Sequence, residues 1–111
     1  MSHPRWADRV PAPETYRAPK ERSRPEIVAE QDEAAGGRKR RKVILPDGGE
    51  ATASIELKFL GGRRIYAYLR YIRGRRTVST YVGEAPGRTR AERLQSAWKK
   101  ARADRLLTPR L

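Results

Sequence analysis

The chain has 111 residues, no cysteine, one histidine and a formal net charge of +13, from 26 Lys and Arg against 13 Asp and Glu. One domain is the expectation for that length, and without cysteine there are no disulfides, thiolate zinc sites or thiol nucleophiles. The one histidine, His3, stands where no scaffold could orient it, so no catalytic residue, metal site or cofactor is expected.

The charge is unevenly spread along the chain. Residues 1–50 carry 11 Lys and Arg against nine acidic residues, and residues 51–111 carry 15 against four. Concentrating positive charge on about 60 residues costs stability through self-repulsion, which points to a polyanionic partner, nucleic acid. Arg outnumbers Lys 20 to six. A GC-rich bacterial or phage genome would favour that ratio, and guanidinium is also the better bidentate phosphate ligand.

From Met1 to Gly37 there are five prolines, few large apolar residues and charges of both signs in no period. Such a segment cannot bury enough surface to offset its ordering entropy. Residues 1–41 therefore read as a disordered tail that ends in a basic cluster. One exception is Pro25-Glu26-Ile27-Val28-Ala29-Glu30, which could start a short helix ending before Gly36-Gly37. Trp6 and Tyr16 read as isolated, solvated aromatics rather than partner anchors. Met1 to Thr15 lacks the apolar core of a signal peptide, and no apolar run approaches the ~20 residues of a membrane span. A cytoplasmic protein is expected, nucleoid-associated if bacterial. The cluster itself, Arg38-Lys39-Arg40-Arg41-Lys42, reads either as a basic arm along a phosphate backbone or as a solvated run guarding Val43-Ile44-Leu45 against aggregation.

Residues 42–111 have the pattern of a small basic sheet-plus-helix domain. After Val43-Ile44-Leu45, Pro46-Asp47-Gly48-Gly49 has the chemistry of a tight turn. Alternating strands follow at Ala53–Leu60, Arg64–Ile72 and Arg75–Val82, separated by Gly61-Gly62 and Arg73-Gly74. A loop of Gly61-Gly62-Arg63 sets Phe59 against Ile65, Leu57 against Ala67 and Ile55 against Leu69, an apolar face. A loop of Arg73-Gly74 sets Leu69 against Val78 and Tyr66 against Tyr81. Thr89-Arg90-Ala91-Glu92 matches a capping box, and the helix it starts is expected to reach about Leu107. Ala91, Leu94, Trp98 and Ala101 form its apolar stripe, with Trp98 packed between helix and sheet near Phe59 and Leu69. The expected fold is α+β: a three- or four-stranded antiparallel meander with one C-terminal helix across one face.

The uncovered face would show Ser54, Glu56, Lys58, Tyr66, Tyr68, Arg70, Ile72, Arg75, Thr77, Ser79 and Tyr81. These residue types stack on or hydrogen-bond to bases, sugars and phosphates. Arg63 and Arg64 in one turn, and Arg73, Arg75 and Arg76 in the other, would grip phosphates at its rim. The stretch Ile65-Tyr66-Ala67-Tyr68-Leu69-Arg70-Tyr71, with Gly74-Arg75-Arg76, Tyr81-Val82-Gly83 and a Thr-capped helix, resembles the arm-site-binding domains of phage and transposon integrases over residues 51–107. The resemblance implies a sheet laid into the major groove through Tyr66, Tyr68 and Arg70, although no recombinase domain of the kind that family carries is expected after the helix. The chain is also similar to small basic proteins of GC-rich actinobacteria and their mobile elements. The expected function is non-catalytic binding of nucleic acid, with duplex DNA as the partner. An RNA-binding module, or an inhibitor docked on an acidic partner enzyme or protein, is the alternative. Glu56, Glu84, Glu92 and Asp104 make no obvious catalytic carboxylate pair.

Overall fold

Ser23 starts the first helix of the computed structural model, which describes residues 10–108. Its hydroxyl accepts from the Glu26 amide at 3.3 Å, and the Glu26 carboxylate accepts from the Ser23 amide at 3.0 Å. This reciprocal box, with Pro25 in the first turn and Gly36 at φ 91° after the last, bounds α1 at Arg24–Ala35. Hydrogen bonds from the Ser23 backbone and side chain hold the Glu26 carboxyl below its ordinary range.

Two antiparallel sheets follow. Strands β1 (Lys42–Ile44) and β2 (Glu50–Thr52) pair around the Pro46–Gly49 turn. Strands β3 (Ser54–Phe59), β4 (Ile65–Arg73) and β5 (Arg76–Glu84) form a separate meander with β4 in the centre. Helix α2, Arg90–Ala103, then crosses one face of the meander. The architecture is the expected α+β arrangement. The Thr89 hydroxyl accepts from the Glu92 amide at 3.1 Å, but the Glu92 carboxylate accepts from the Arg88 amide, one residue before the position a closed box requires.

The β3–β4 register is the predicted one, with Phe59 opposite Ile65, Leu57 opposite Ala67 and Ile55 opposite Leu69. The β4–β5 register differs by two residues. Arg73 opposes Arg76, so the loop is Gly74-Arg75, and Leu69 faces Thr80 instead of Val78. Gly74, at φ 65°, takes the first loop position, where a two-residue hairpin can demand a positive φ. A slip of two preserves the alternation, so the side chains from Thr77 to Tyr81 keep their predicted faces, while Arg75 moves from the open face into the loop. Beyond Tyr68 opposite Tyr81, Val82 is an extra residue before Gly83 opposite Ala67. This bulge turns both Val82 and Gly83 into the buried side.

The core lies between α2 and the meander and is centred on Trp98, whose exposure is 0%. Leu94, Ala97 and Ala101 accompany it; Ala97 takes the place expected for Ala91, which is exposed. Phe59 is not in that core. It is 37% exposed and packs its ring 5.5 Å from the ring of Tyr16, which is buried.

The domain boundary expected at residue 42 is corrected. Residues 24–41 pack on the domain instead of trailing from it. The Gln31 side chain is buried and hydrogen-bonds to Ile55 and Trp98, and Ala34 and Ala35 join the core. The physical reason is that polar groups and alanines, not an apolar stripe, hold α1 in place. His3, Trp6 and the rest of residues 1–9 lie outside the described residues, as do residues 109–111.

Candidate nucleic-acid interface

The face of the meander opposite α2 is built by strand alternation. Residues at every second position of β4 (Tyr66, Tyr68, Arg70 and Ile72) turn away from the core, beside Ser54, Glu56 and Lys58 of β3 and Thr77, Ser79 and Tyr81 of β5. The register places Tyr68 directly opposite Tyr81, and their rings meet edge-on at 5.4 Å and 61°. The Tyr66 ring lies 6.3 Å from that of Tyr81. The three tyrosines thus form one cluster, in which Tyr81 is 56% exposed. Lys58 Nζ sits 4.7 Å from the Tyr68 ring centroid, within cation–π range.

Glu56 orders the cations of this face. Its carboxylate is 3.3 Å from the Arg70 guanidinium and 3.8 Å from Lys58 Nζ, and all three side chains are partly exposed. Such pairs contribute little to stability. They do place two cations beside the tyrosines. Ile72, 65% exposed, continues the face beyond Arg70.

The turn arginines divide. Arg63 and Arg64 border a hollow of about 420 Å3 with Gly61, Gly62, Tyr66 and Glu84, and Arg64 lies 3.7 Å from the Glu84 carboxylate. At the other end Arg75 occupies the loop. Arg73 and Arg76, expected on the rim of the open face, fall by strand alternation on the side that carries α2. They also oppose one another directly across the hairpin, a like-charge pair that an anion would relieve. Thr77 stays on the open face, opposite Ile72.

The basic cluster is not an extended arm. Arg38–Arg41 forms a 3-10 turn between α1 and β1, and Arg41 is 5% exposed. Its guanidinium donates to the Ala53 carbonyl at 2.9 Å, to Asp32 Oδ1 at 2.6 Å and to Ser54 Oγ at 3.1 Å. Arg41 is therefore a structural residue, and its guanidinium is not free to contact nucleic acid as expected. Lys42 lies 3.4 Å from the Glu50 carboxylate across the small sheet, and Arg38, Lys39 and Arg40 are exposed. The α2 cations are largely occupied within the fold: Lys100 pairs with Asp104 at 3.0 Å, Arg102 donates to the Ala35 carbonyl at 2.8 Å, and Arg93 donates to the Ala85 carbonyl at 2.7 Å.

One cluster had no sequence signal. Glu30 on α1 is held by Arg22 at 2.9 Å and by Arg90 of α2 at 2.9 Å, and Arg90 also donates to the Tyr16 carbonyl. Burial pushes the Glu30 carboxyl up, but hydrogen bonds from Arg90 and Arg22 and their charge outweigh it, leaving the group below the ordinary carboxylate range. Its partners lie 8 and 60 residues away, a spacing that no periodicity reveals.

Among the described residues no three His, Cys, Asp or Glu stand close enough to hold a metal ion, and no helix is long and apolar enough to cross a membrane. Comparison with protein-family models, with curated proteins and with solved structures gives no match.

Proposed function

We propose that the protein binds nucleic acid without catalysis, with duplex DNA as its first partner, through the open face of β3–β5. The observation that carries this reading is the cluster of Tyr66, Tyr68 and Tyr81 flanked by Lys58 and Arg70, on a face that no described element covers. The excess of 11 positive charges on residues 51–111, 15 minus four, supplies the electrostatic attraction. Strand β4 is the central strand, so a sheet entering the major groove would bring Tyr68 and Arg70 nearest the base edges. The resemblance to integrase arm-site-binding domains supports the same docking. Arg63 and Arg75, one at each end of the face, would contact phosphates. The exposure of Tyr81 favours one second reading, in which unpaired bases of RNA stack on the tyrosines.

The test is binding of duplex DNA, single-stranded DNA and RNA by the protein and its variants at several salt concentrations. Arg70→Ala is expected to lose about 1–3 kcal/mol for a preferred duplex and much less for random DNA. Arg63→Ala and Arg75→Ala should weaken all sequences alike, each lowering the salt slope by about 0.9. If Tyr81→Ala instead removes about 1–3 kcal/mol from RNA binding and spares duplex binding, the stacking reading replaces the groove reading. Unchanged affinity in Tyr68→Ala and Arg70→Ala overturns the sheet-face site and leaves the exposed turn cations Arg38, Lys39 and Arg40 as the contact surface.

A further inference from the structure

The edge strand β3 is sealed along its first half and open along its second. In an antiparallel pair, every second residue turns its N–H and C=O away from the neighbouring strand. Here those residues are Ala53, just before the strand, then Ile55, Leu57 and Phe59. The Ala53 amide donates to the Arg41 carbonyl at 2.8 Å, and its carbonyl accepts from Arg41 Nε at 2.9 Å. Gln31 repeats the device one step along. The Ile55 amide donates to Gln31 Oε1 at 2.9 Å, and Gln31 Nε2 donates to the Ile55 carbonyl at 3.0 Å. A side-chain amide thus stands where the peptide group of a fourth strand would stand.

No such partner reaches Leu57 or Phe59 among the described residues. Their edge opens on a groove of about 960 Å3 bordered by β3, α1 and the chain around Tyr16, which also reaches Arg70, Ile72 and Thr77 at the end of the open face. Tyr16, Ile27, Leu57 and Phe59 supply its apolar walls, and Ile27 is 45% exposed. Unpaired strand backbone beside an apolar wall is the arrangement by which a sheet accepts an added strand.

We propose that this groove is a strand-docking site for an extended acidic segment of a partner protein. Charge selects the occupant. Arg17, Arg22, Arg70 and Arg90 border the groove against Glu30 and Glu56; Glu30 pairs with Arg22 and Arg90, and Glu56 with Arg70, so four cations against two carboxylates leave the rim net positive by two. A second copy of a chain carrying +13 would meet the same cations and be repelled, whereas an acidic strand is attracted. Main-chain hydrogen bonds to Leu57 and Phe59 would supply affinity, and alternate apolar side chains would rest on the groove wall. The inference rests on the β3 edge and not on the tyrosine cluster, although Arg70 and Glu56 border both sites.

The experiment follows backbone amides of the full chain by NMR while an acetylated peptide of about six residues, alternating Glu and Val, is added. A peptide alternating Lys and Val is the control. The Leu57 and Phe59 amides are expected to shift and to exchange at least about tenfold more slowly with the acidic peptide alone, while the Tyr68 and Tyr81 amides stay unchanged. Leu57→Pro removes an outward N–H without removing a β3–β4 ladder bond and should abolish the effect. Ile27→Glu places a repelling charge on the groove wall and should weaken it without touching β3. Equal binding of both peptides, changes confined to the tyrosine face, or no change at Leu57 and Phe59 overturns the proposal. So does protection present before peptide is added, whether dependent on protein concentration, as a second copy would give, or independent of it, as the chain's own termini would give.

Discussion

Helix α2 lies across the sheet, whereas α1 packs chiefly on α2 and meets the sheet at the β3 edge, and the two are attached by opposite chemistry. Helix α2 buries Leu94, Ala97, Trp98 and Ala101, an apolar stripe at helical spacing. Helix α1 buries Gln31, Ala34 and Ala35, leaves Ile27 exposed, and is held chiefly by Gln31, Asp32 and Glu30. Apolar attachment is strong and indifferent to its exact partners, whereas polar attachment works only where each group meets its complement. The C-terminal helix should therefore govern whether the domain folds, and the N-terminal helix should respond to single atoms and to pH.

The sharpest test of that contrast is Trp98→Ala. It empties the centre of the core and is expected to cost about 3–5 kcal/mol in chemical unfolding, a large share of the roughly 5–15 kcal/mol by which a domain is stable. On the α1 side, Gln31→Ala leaves the Ile55 N–H, the Ile55 C=O and Trp98 Nε1 without partners. At the low end of about 1 kcal/mol for each orphaned group, the expected loss is about 3 kcal/mol. Gln31→Leu retains bulk and restores none of these bonds, so it should be no better. If Gln31→Leu matched the parent protein, the polar account of α1 would fail.

The same contrast explains what could be read in the sequence. The β3–β4 register follows from alternation on both strands around Gly61-Gly62, where a one-residue slip would mix the faces. The composition of the open face follows from alternation alone, and apart from Arg75 it survives the two-residue slip of β5. The choice between Arg73-Gly74 and Gly74-Arg75 as loop is invisible to alternation, since both keep the side chains from Thr77 to Tyr81 on their faces. The bulge at Val82 has only Gly83 as its trace. Helix α1 does carry a legible start in Ser23-Arg24-Pro25-Glu26, but its docking depends on partners tens of residues away. Arg41 is the extreme case, because five consecutive cations look alike until Asp32, Ala53 and Ser54 surround one of them.

Arg41→Ala removes a charge-assisted bond to Asp32 together with two further hydrogen bonds and is expected to cost about 2 kcal/mol. Arg38→Ala, three residues away and exposed, should stay within about 0.5 kcal/mol. Equal effects in thermal unfolding would return Arg41 to the solvated run and weaken the polar account of α1.

The smallest expected effect is a pH dependence that α1 alone should show. Glu30 joins α1 to Arg90 at the start of α2 and to Arg22, and its folded carboxyl lies below the ordinary range even though burial opposes this. In the unfolded chain it would titrate near about 4.3. A group depressed in the folded state contributes stability that is complete above the unfolded value and is lost as pH falls through the folded one. The parent protein should therefore lose unfolding midpoint faster than Glu30→Gln as pH drops below about 4.3, the two curves running parallel above about pH 6. Taking the difference between the two proteins removes the other carboxylates, which titrate in both. Curves parallel throughout would mean that solvent already screens the cluster, and α1 would then be held by Gln31 and Arg41 without help from the charge that links it to α2.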